Sequence, residues 1–492
     1  MLTKIPGWRL LLVSFVVNFG GAFHFGYQLV ITNPTQQAFL QFLNSSFSAH
    51  YDSSLTSQQL RTIWSTTVAV LFIGAIFGSL SIRSVGEHFG RKRGLYFSFA
   101  TTILATILSI IAFFVNSFEL YAISRILIGF AISLSLGLAA LYLNESSPKD
   151  CRGLISMIIG VMVQFGTVIG AIIAMPNLLG TYDHLWHIYF IEGILLVFTV
   201  ITLPLMPESP GYLSLCGHEE AASQSIMFFH NCDLSSSKMV LMETKENLKQ
   251  NSKALSLFEV FSDHQTVRST FTGMVIAISM AFSGIAGYLF TVINAFAVDI
   301  FLHCGLSLME ASIGNIVLSA VSLLSFTDES RIEVAIILSS CIVDRFGRRP
   351  LLLITISLII LINLIIFTLM FLFNKFGMMW IGYVLIAVIS LFIIIFAMGP
   401  GPLTFFVTTE LVHQNARAAA QSWASFTQML SRTVLLGIYL PLQGAIGQAF
   451  AYVILFIVPL VAALLFLYFN MPETKNKNIN EVSECLSGQS CS

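Results

Sequence analysis

Phe89-Gly90-Arg91-Lys92 follows the second long apolar run of this chain, and Phe346-Gly347-Arg348-Arg349 follows the eighth. Two further signals repeat in the same order. Glu145…Arg152 after the fourth run returns as Glu410…Arg417 after the tenth, seven residues apart both times. Pro207-Glu208-Ser209-Pro210 after the sixth returns as Pro472-Glu473-Thr474-Lys475 after the twelfth. One such motif says little, because loops between apolar segments are ordinarily charged. Three in one order, all on one side of the runs, argue for a duplicated unit of six spans. Parallel repeats of this kind set a substrate site between the halves, near the bilayer midplane. Arg91, Glu145, Arg152, Glu208, Arg348, Arg349, Glu410 and Arg417 are read as a charge network at the cytoplasmic helix ends, pairing across the two halves. A surface pair contributes only about 0–1 kcal/mol, which suits a lock that breaks when a two-state protein switches.

The runs themselves lie near 9–32, 60–82, 94–115, 119–143, 153–175 and 185–206, then near 267–302, 306–343, 351–373, 378–408, 417–441 and 447–470. A helix needs about 20 apolar residues to cross a bilayer, so the reading is six spans, a polar stretch over 207–266, and six more. Of the 492 residues, 56% are hydrophobic and 10% charged, whereas a soluble domain carries about 25% charged residues. The first run is too long for the h-region of a signal peptide, about 7–15 residues. Most of the 24 basic residues fall on one side if both termini and the 207–266 loop are cytoplasmic, as the positive-inside rule requires. Asn44-Ser45-Ser46 is then an outward glycosylation sequon, and Asn144-Glu145-Ser146 an inward one expected to stay unmodified. The expected domains are 1–206, a linker with short helices over 207–266, 267–470, and a tail over 471–492.

Composition also excludes. A formal net charge of −1 offers no field for nucleic acid, and no pair of the seven cysteines is spaced as C-x-x-C. Neither a metal site nor a cofactor is expected. With no nucleophile–base constellation and no nucleotide-binding loop, an enzyme is not expected either.

The repeated motifs stand together with Phe25-Gly26-Tyr27, Ile63-Trp64-Ser65, Arg125-Ile126-Leu127-Ile128-Gly129, Arg152-Gly153, Ser283-Gly284-Ile285 and Gly399-Pro400-Gly401-Pro402. In this order, from about residue 10 to 482, the set resembles the facilitative glucose transporter family, solute carrier family 2 of the major facilitator superfamily. The resemblance implies an all-α major facilitator fold, twelve transmembrane helices in two homologous six-helix bundles, and alternating-access uniport of hexoses or related polyols. A plasma-membrane location and a monomeric working unit acting on a small-molecule solute are expected.

Departures from the family bear on the substrate. The family carries Gln-Gln before the Ser-Gly of its seventh helix and Asn two positions after the Gly. The matching residues here are Met280, Ala281 and Ala286. A hydroxyl left unpaired in a buried site costs about 1–3 kcal/mol, so the usual hexose pose is weakened. The substrate-binding candidates are Gln164, one helical turn beyond the family's glutamine position, Gln428, Phe405, Asn294 and Trp64. Asn294 is either a compensating amide or a bundle-facing polar residue. Gly211 stands where the family has arginine, and Glu87-His88 where it has Asp/Asn-Arg, which softens the lock.

Single ionisable residues complete the reading. Bacterial proton-coupled relatives carry Asp at the position of Gln28, which cannot titrate, so facilitated diffusion is expected. His24 reads as a hydrogen-bonded packing residue, and Glu192 as interfacial near the outer end of its run. Arg432 lies deeper and faces either the cavity or a partner; facing the cavity, it opens the way to an anionic solute. Thr327-Asp328-Glu329-Ser330-Arg331-Ile332-Glu333 interrupts the eighth run, either as an insertion over 321–333 or as a re-entrant loop. Two rivals remain: a carrier of another small or anionic solute, and a non-transporting sugar sensor.

Overall fold

In the computed structural model of this protein, the described residues are 6–51, 55–148, 151–249, 255–262, 264–283, 347–376, 400–413, 416–446 and 448–473, with short pieces between 309 and 320 and between 384 and 396. The 321–333 segment, Ala286 and Asn294 lie outside them. The first half contains α1 (Trp8–Val30), α2 (Gln36–Tyr51), α3 (Ser57–His88), α4 (Arg91–Val115), α5 (Phe118–Ser146), α6 (Arg152–Ile173) and α7 (Leu185–Thr202). Three short helices follow, α8 (Pro210–Leu215), α9 (Glu219–His230) and α10 (Leu234–Lys249). The second half contains α11 (His264–Phe282), α12 (Arg348–Phe376), α13 (Pro400–Leu411), α14 (Arg417–Ile446) and α15 (Val458–Asn470). Seven helices among the described residues are long and apolar enough to cross a bilayer, so the chain is a multi-pass integral membrane protein.

Helix α2 lies in the connection between the first two apolar runs. Its polar composition hides an apolar stripe: Phe39, Phe42, Leu43 and Ser46 are buried at helical spacing, and Phe39 stacks on Trp64 of α3 at 4.7 Å. Ser46 Oγ accepts the Phe118 amide at 2.9 Å, tying α2 to the start of α5. Thr56 opens α3 with a capping box, its amide donating to Gln59 Oε1 at 3.0 Å. Ser117 caps α5, and Asn116 before it ends α4 in the left-handed region at φ 55°.

Glycines let the spans approach. A Cβ on Gly129 of α5 would collide with the Leu71 carbonyl of α3, and one on Gly26 of α1 with the Val163 carbonyl of α6. Small residues at a membrane helix interface let backbones come this close, and van der Waals packing replaces the hydrophobic force that lipid cannot supply. The Phe-Gly-Tyr and Arg-Ile-Leu-Ile-Gly motifs thereby gain a physical role. Both the first and the last span carry one π turn, Phe19–Phe23 in α1 and Val453–Ile457 before α15. Between the halves, α3 packs along α14, and α6 against α13.

The linker docks at both ends. Ser225 Oγ donates to the Glu208 carbonyl at 2.7 Å, and Phe229 meets Tyr142 edge-on at 6.0 Å. At the other end, Trp423 Nε1 of α14 donates to the Leu257 carbonyl at 2.8 Å.

Candidate functional site

Two sets of polar groups stand out: a buried chain between α1, α5 and α7, and a pair of clamps at the cytoplasmic helix ends.

The buried chain begins with His24 and Gln28, one turn apart on the same face of α1. His24 Nδ1 lies 3.3 Å from Glu192 Oε1 of α7, and Gln28 Nε2 donates to Glu192 Oε2 at 2.5 Å. Arg125 Nη1 of α5 donates to Gln28 Oε1 at 2.6 Å. Exposures of 0% for His24 and Glu192, 1% for Gln28 and 2% for Arg125 place the whole chain out of water. The Gln28 amide is the bridge: its donor end faces the carboxylate and its acceptor end the guanidinium, so one neutral side chain serves both charges. Glu192 is therefore not interfacial, as its position in the apolar run suggested, but the acceptor at the centre of a buried network; an unpartnered buried carboxylate is strongly unfavourable, and these partners relieve that. His24 is hydrogen-bonded as expected, while its Nε2 has no partner among the described residues. A cavity of ≈ 10 Å³ adjoins this chain, lined by Gln28, Leu29, Thr32, Val68, Leu71, Phe72 and Arg125. That is room for about one water.

Across the interface from this cavity, Arg432 of α14 is 2% exposed. Its guanidinium carbon lies 5.3 Å from the Phe25 ring centre and 6.0 Å from that of Phe72. One turn earlier on α14, Gln428 Nε2 donates to Met280 Sδ of α11 at 2.7 Å. The amide expected for a substrate thus rests on the thioether that replaces a family amide. Gln164 of α6 is buried and accepts from Thr167 Oγ1 at 3.2 Å. Trp64 is buried under Phe39, and its Nε1 has no partner among the described residues. Phe405 lies on α13, but its side chain is outside what is described. Gln164, Gln428 and Trp64 thus sit on three different helices, with no contact that joins them to one another among the described residues.

The clamps explain the repeated motifs. Gly90 sits at φ +88°, and the Glu208 carboxylate occupies the space a Cβ there would need. Glu208 Oε1 accepts the Lys92 amide at 2.9 Å and the Ser209 amide at 2.9 Å, so the carboxylate caps the N-terminus of α4. Lys92 Nζ donates to the carbonyls of Pro204 at 2.9 Å and Met206 at 2.5 Å, just beyond α7. The second half repeats the device. Gly347 sits at φ +89° against the Glu473 carboxylate, which accepts the Arg348 amide at 2.9 Å and the Arg349 amide at 3.2 Å. Arg349 Nη2 donates to the Tyr468 carbonyl at 2.8 Å near the end of α15. Burial pushes the Glu208 carboxyl above the ordinary glutamate range, and the two amides pull against that rise.

Arg91 Nη2 donates to Glu145 Oε1 at 2.8 Å, and Ser209 Oγ donates to Glu145 Oε2. All of these contacts lie within one half. Glu145, Glu208 and Glu473 are each held by groups of their own repeat, and these contacts do not themselves join the halves. Arg417 is buried at the start of α14, whereas the side chains of Arg152 and Glu410 lie outside what is described. Asn44 is exposed on α2, and Asn144 is buried.

Two repeats of membrane-spanning helices, clamped alike and packed face to face around buried polar groups, define a carrier of the major facilitator fold. The family profile described as Sugar (and other) transporter matches residues 13–486, and the chain belongs to that family. It is 28% identical to solute carrier family 2, facilitated glucose transporter member 1 of Gallus gallus, over 94% of this chain and 90% of that one. Identity is 26% to member 9 of Mus musculus, over 99% and 87%, and 28% to member 11 of Homo sapiens, over 98% and 93%. Among solved structures it superposes on the proton:xylose symporter XylE bound to 6-bromo-6-deoxy-D-glucose with a TM-score of 0.79 at 20% identity, covering 97% of this chain and 99% of that one. On the inward-open xylose transporter XylE from E. coli the TM-score is 0.70, at 20% identity and coverages of 97% and 99%. The protein is a transporter.

Proposed function

We propose that this transporter carries a small polyhydroxylated solute of the sugar or polyol class by alternating access, down the solute's own gradient. The observation that carries the reading is the buried contact where the halves meet: Arg432 of α14 over the rings of Phe25 on α1 and Phe72 on α3, with Gln428 one turn earlier on α14. The family supports the solute class, since relatives at 26–28% identity are named facilitated glucose transporters. Gln28 supports downhill movement, because an amide at this point of α1 cannot take up a proton. The proposed substrate contacts are Gln164, Gln428, Phe405, Asn294 and Trp64. The domain boundaries proposed from the sequence stand with this reading: bundles over 1–206 and 267–470, the linker over 207–266 and the tail over 471–492. So do a plasma-membrane location, both termini in the cytoplasm, a monomeric working unit and a glycan on Asn44.

The test is an uptake screen of radiolabelled sugars and polyols with the purified chain in liposomes. Saturable uptake that stops at equilibrium and ignores a proton gradient supports the reading. Accumulation against the solute gradient that a protonophore abolishes would replace it with proton coupling through Glu192 and His24.

A further inference from the structure

Among the described residues, the charges buried around α1, α5, α7 and α14 do not balance. Glu192 offsets Arg125 through the Gln28 amide, with His24 on the other carboxylate oxygen. Arg432 has no such partner: it makes no hydrogen bond and no ion pair among the described residues, and its Nε and Nη1 are buried and unpartnered. An ionisable residue at this depth is expensive to insert and ordinarily faces a bundle interior or a polar pathway. The rings of Phe25 and Phe72 near its guanidinium relieve part of that penalty by cation–π attraction. They supply no anion and accept no N–H in the plane of the guanidinium. Its edge therefore stays available, and that edge is the fork that fits a carboxylate through two parallel hydrogen bonds. The position is also apt. Phe72 lines the cavity beside Gln28 and Arg125, and Gln428 lies one turn away on the same face of α14.

We propose that Arg432 is a specificity-determining residue of the transport site and that the carried solute is a sugar-acid-like monoanion, its carboxylate seated on the Arg432 guanidinium. This rests on the carrier reading above and narrows its solute class. The lost amides are in accord with it: Met280 and Ala281 withdraw partners for neutral hydroxyls on α11, while Arg432 adds one for a negative charge. Glu192, Arg125 and Arg432 together leave one guanidinium without a counter-charge among the described residues, which a monoanion supplies. Movement of the loaded carrier then involves no isolated cation in the membrane interior.

The test compares D-glucuronate with D-glucose, two solutes that share a ring and differ at C6 by carboxylate against hydroxymethyl. The full chain in liposomes is assayed for saturable uptake of each, under imposed membrane potentials of either sign. Saturable D-glucuronate uptake, exceeding that of D-glucose by about tenfold or more, is the expected result. A bidentate charged hydrogen-bonded pair lost on Arg432→Gln lowers D-glucuronate transport by about 10- to 100-fold, a loss at least several-fold larger than that for D-glucose. Arg432→Lys, which keeps the charge and loses the fork, falls between. Folding of each variant is checked by gel filtration and thermal midpoint, and the wild-type preference decides the matter if a variant fails that check. Uptake of D-glucose with D-glucuronate excluded, or an Arg432→Gln loss equal for both solutes, overturns the anion assignment and leaves the sugar carrier standing. Folded protein that moves neither overturns both.

Discussion

Replacing Glu208 or Glu473 with alanine removes the same structural device from each half. Each carboxylate accepts two backbone amides: Lys92 and Ser209 for Glu208, Arg348 and Arg349 for Glu473. A hydrogen bond to a charged group contributes about 1.5–3 kcal/mol, and loss of an N-cap about 0.5–2 kcal/mol. Both carboxylates are half-buried and partly screened, so a loss of about 1–2 kcal/mol per site is expected, toward the upper end for a cap. The sites lie in separate halves and their capped amides are different, so the double variant loses close to the sum. Glutamine keeps one acceptor oxygen but not the charge, and Glu208→Gln and Glu473→Gln fall about midway. The assay is thermal unfolding of purified protein in one detergent at one scan rate. Ala variants that match wild type, or a large loss at one site and none at the other, would refute the claim that the repeated tetrapeptides are equivalent caps.

Three further outcomes follow from the same contacts. Burial raises the Glu208 carboxyl, so the folded protein holds a proton that the unfolded chain has released; stability falls as pH climbs from the ordinary glutamate range through the raised value. In Glu208→Gln this segment of the wild-type melting-point curve flattens, and an unchanged slope would contradict the assignment. Gly129→Val drives side-chain atoms into the Leu71 carbonyl and costs about 1–3 kcal/mol or more; expression and melting point at wild-type level would show that α3 and α5 separate freely. Glu192→Leu leaves Arg125 in the interior without its counter-charge and loses about 3–5 kcal/mol, whereas Glu192→Gln is milder; equal melting points for the two would remove the charge from the account.

The repeat was legible because charged residues cannot sit in hydrocarbon and so gather at span ends. Phe-Gly-Arg and Pro-Glu-Ser/Thr therefore survive as signals in an otherwise apolar chain. Their partners were not legible. A carboxylate can take an arginine across an interface or the amides of a neighbouring helix start, and only the fold selects the second. Glu192 was misread for a related reason. Hydropathy averages over a window, and one carboxylate in eighteen residues of α7 looks like an edge until α1 supplies His24 and Gln28. The spacing of those two residues, one turn apart, was the signal available. In α2, Phe39, Phe42 and Leu43 stand at helical spacing among serines and glutamines, and only the fold shows that this stripe turns toward α3 and α5. Arg432 was singled out from its place in the run, and the structure finds it buried; that its guanidinium meets rings of the opposite half required the packing of α14 against α3.

The central claim is that the two halves alternate around a solute held between them. The most direct measurement is trans-acceleration: liposomes containing the full chain are loaded with labelled solute, and efflux is followed with and without unlabelled solute outside. The solute is whichever of D-glucuronate and D-glucose the uptake assay favours. A carrier that returns faster loaded than empty gives efflux that rises saturably with external solute. Efflux that is indifferent to external solute, or that increases linearly with the internal load without saturating, would contradict alternating access and identify a pore.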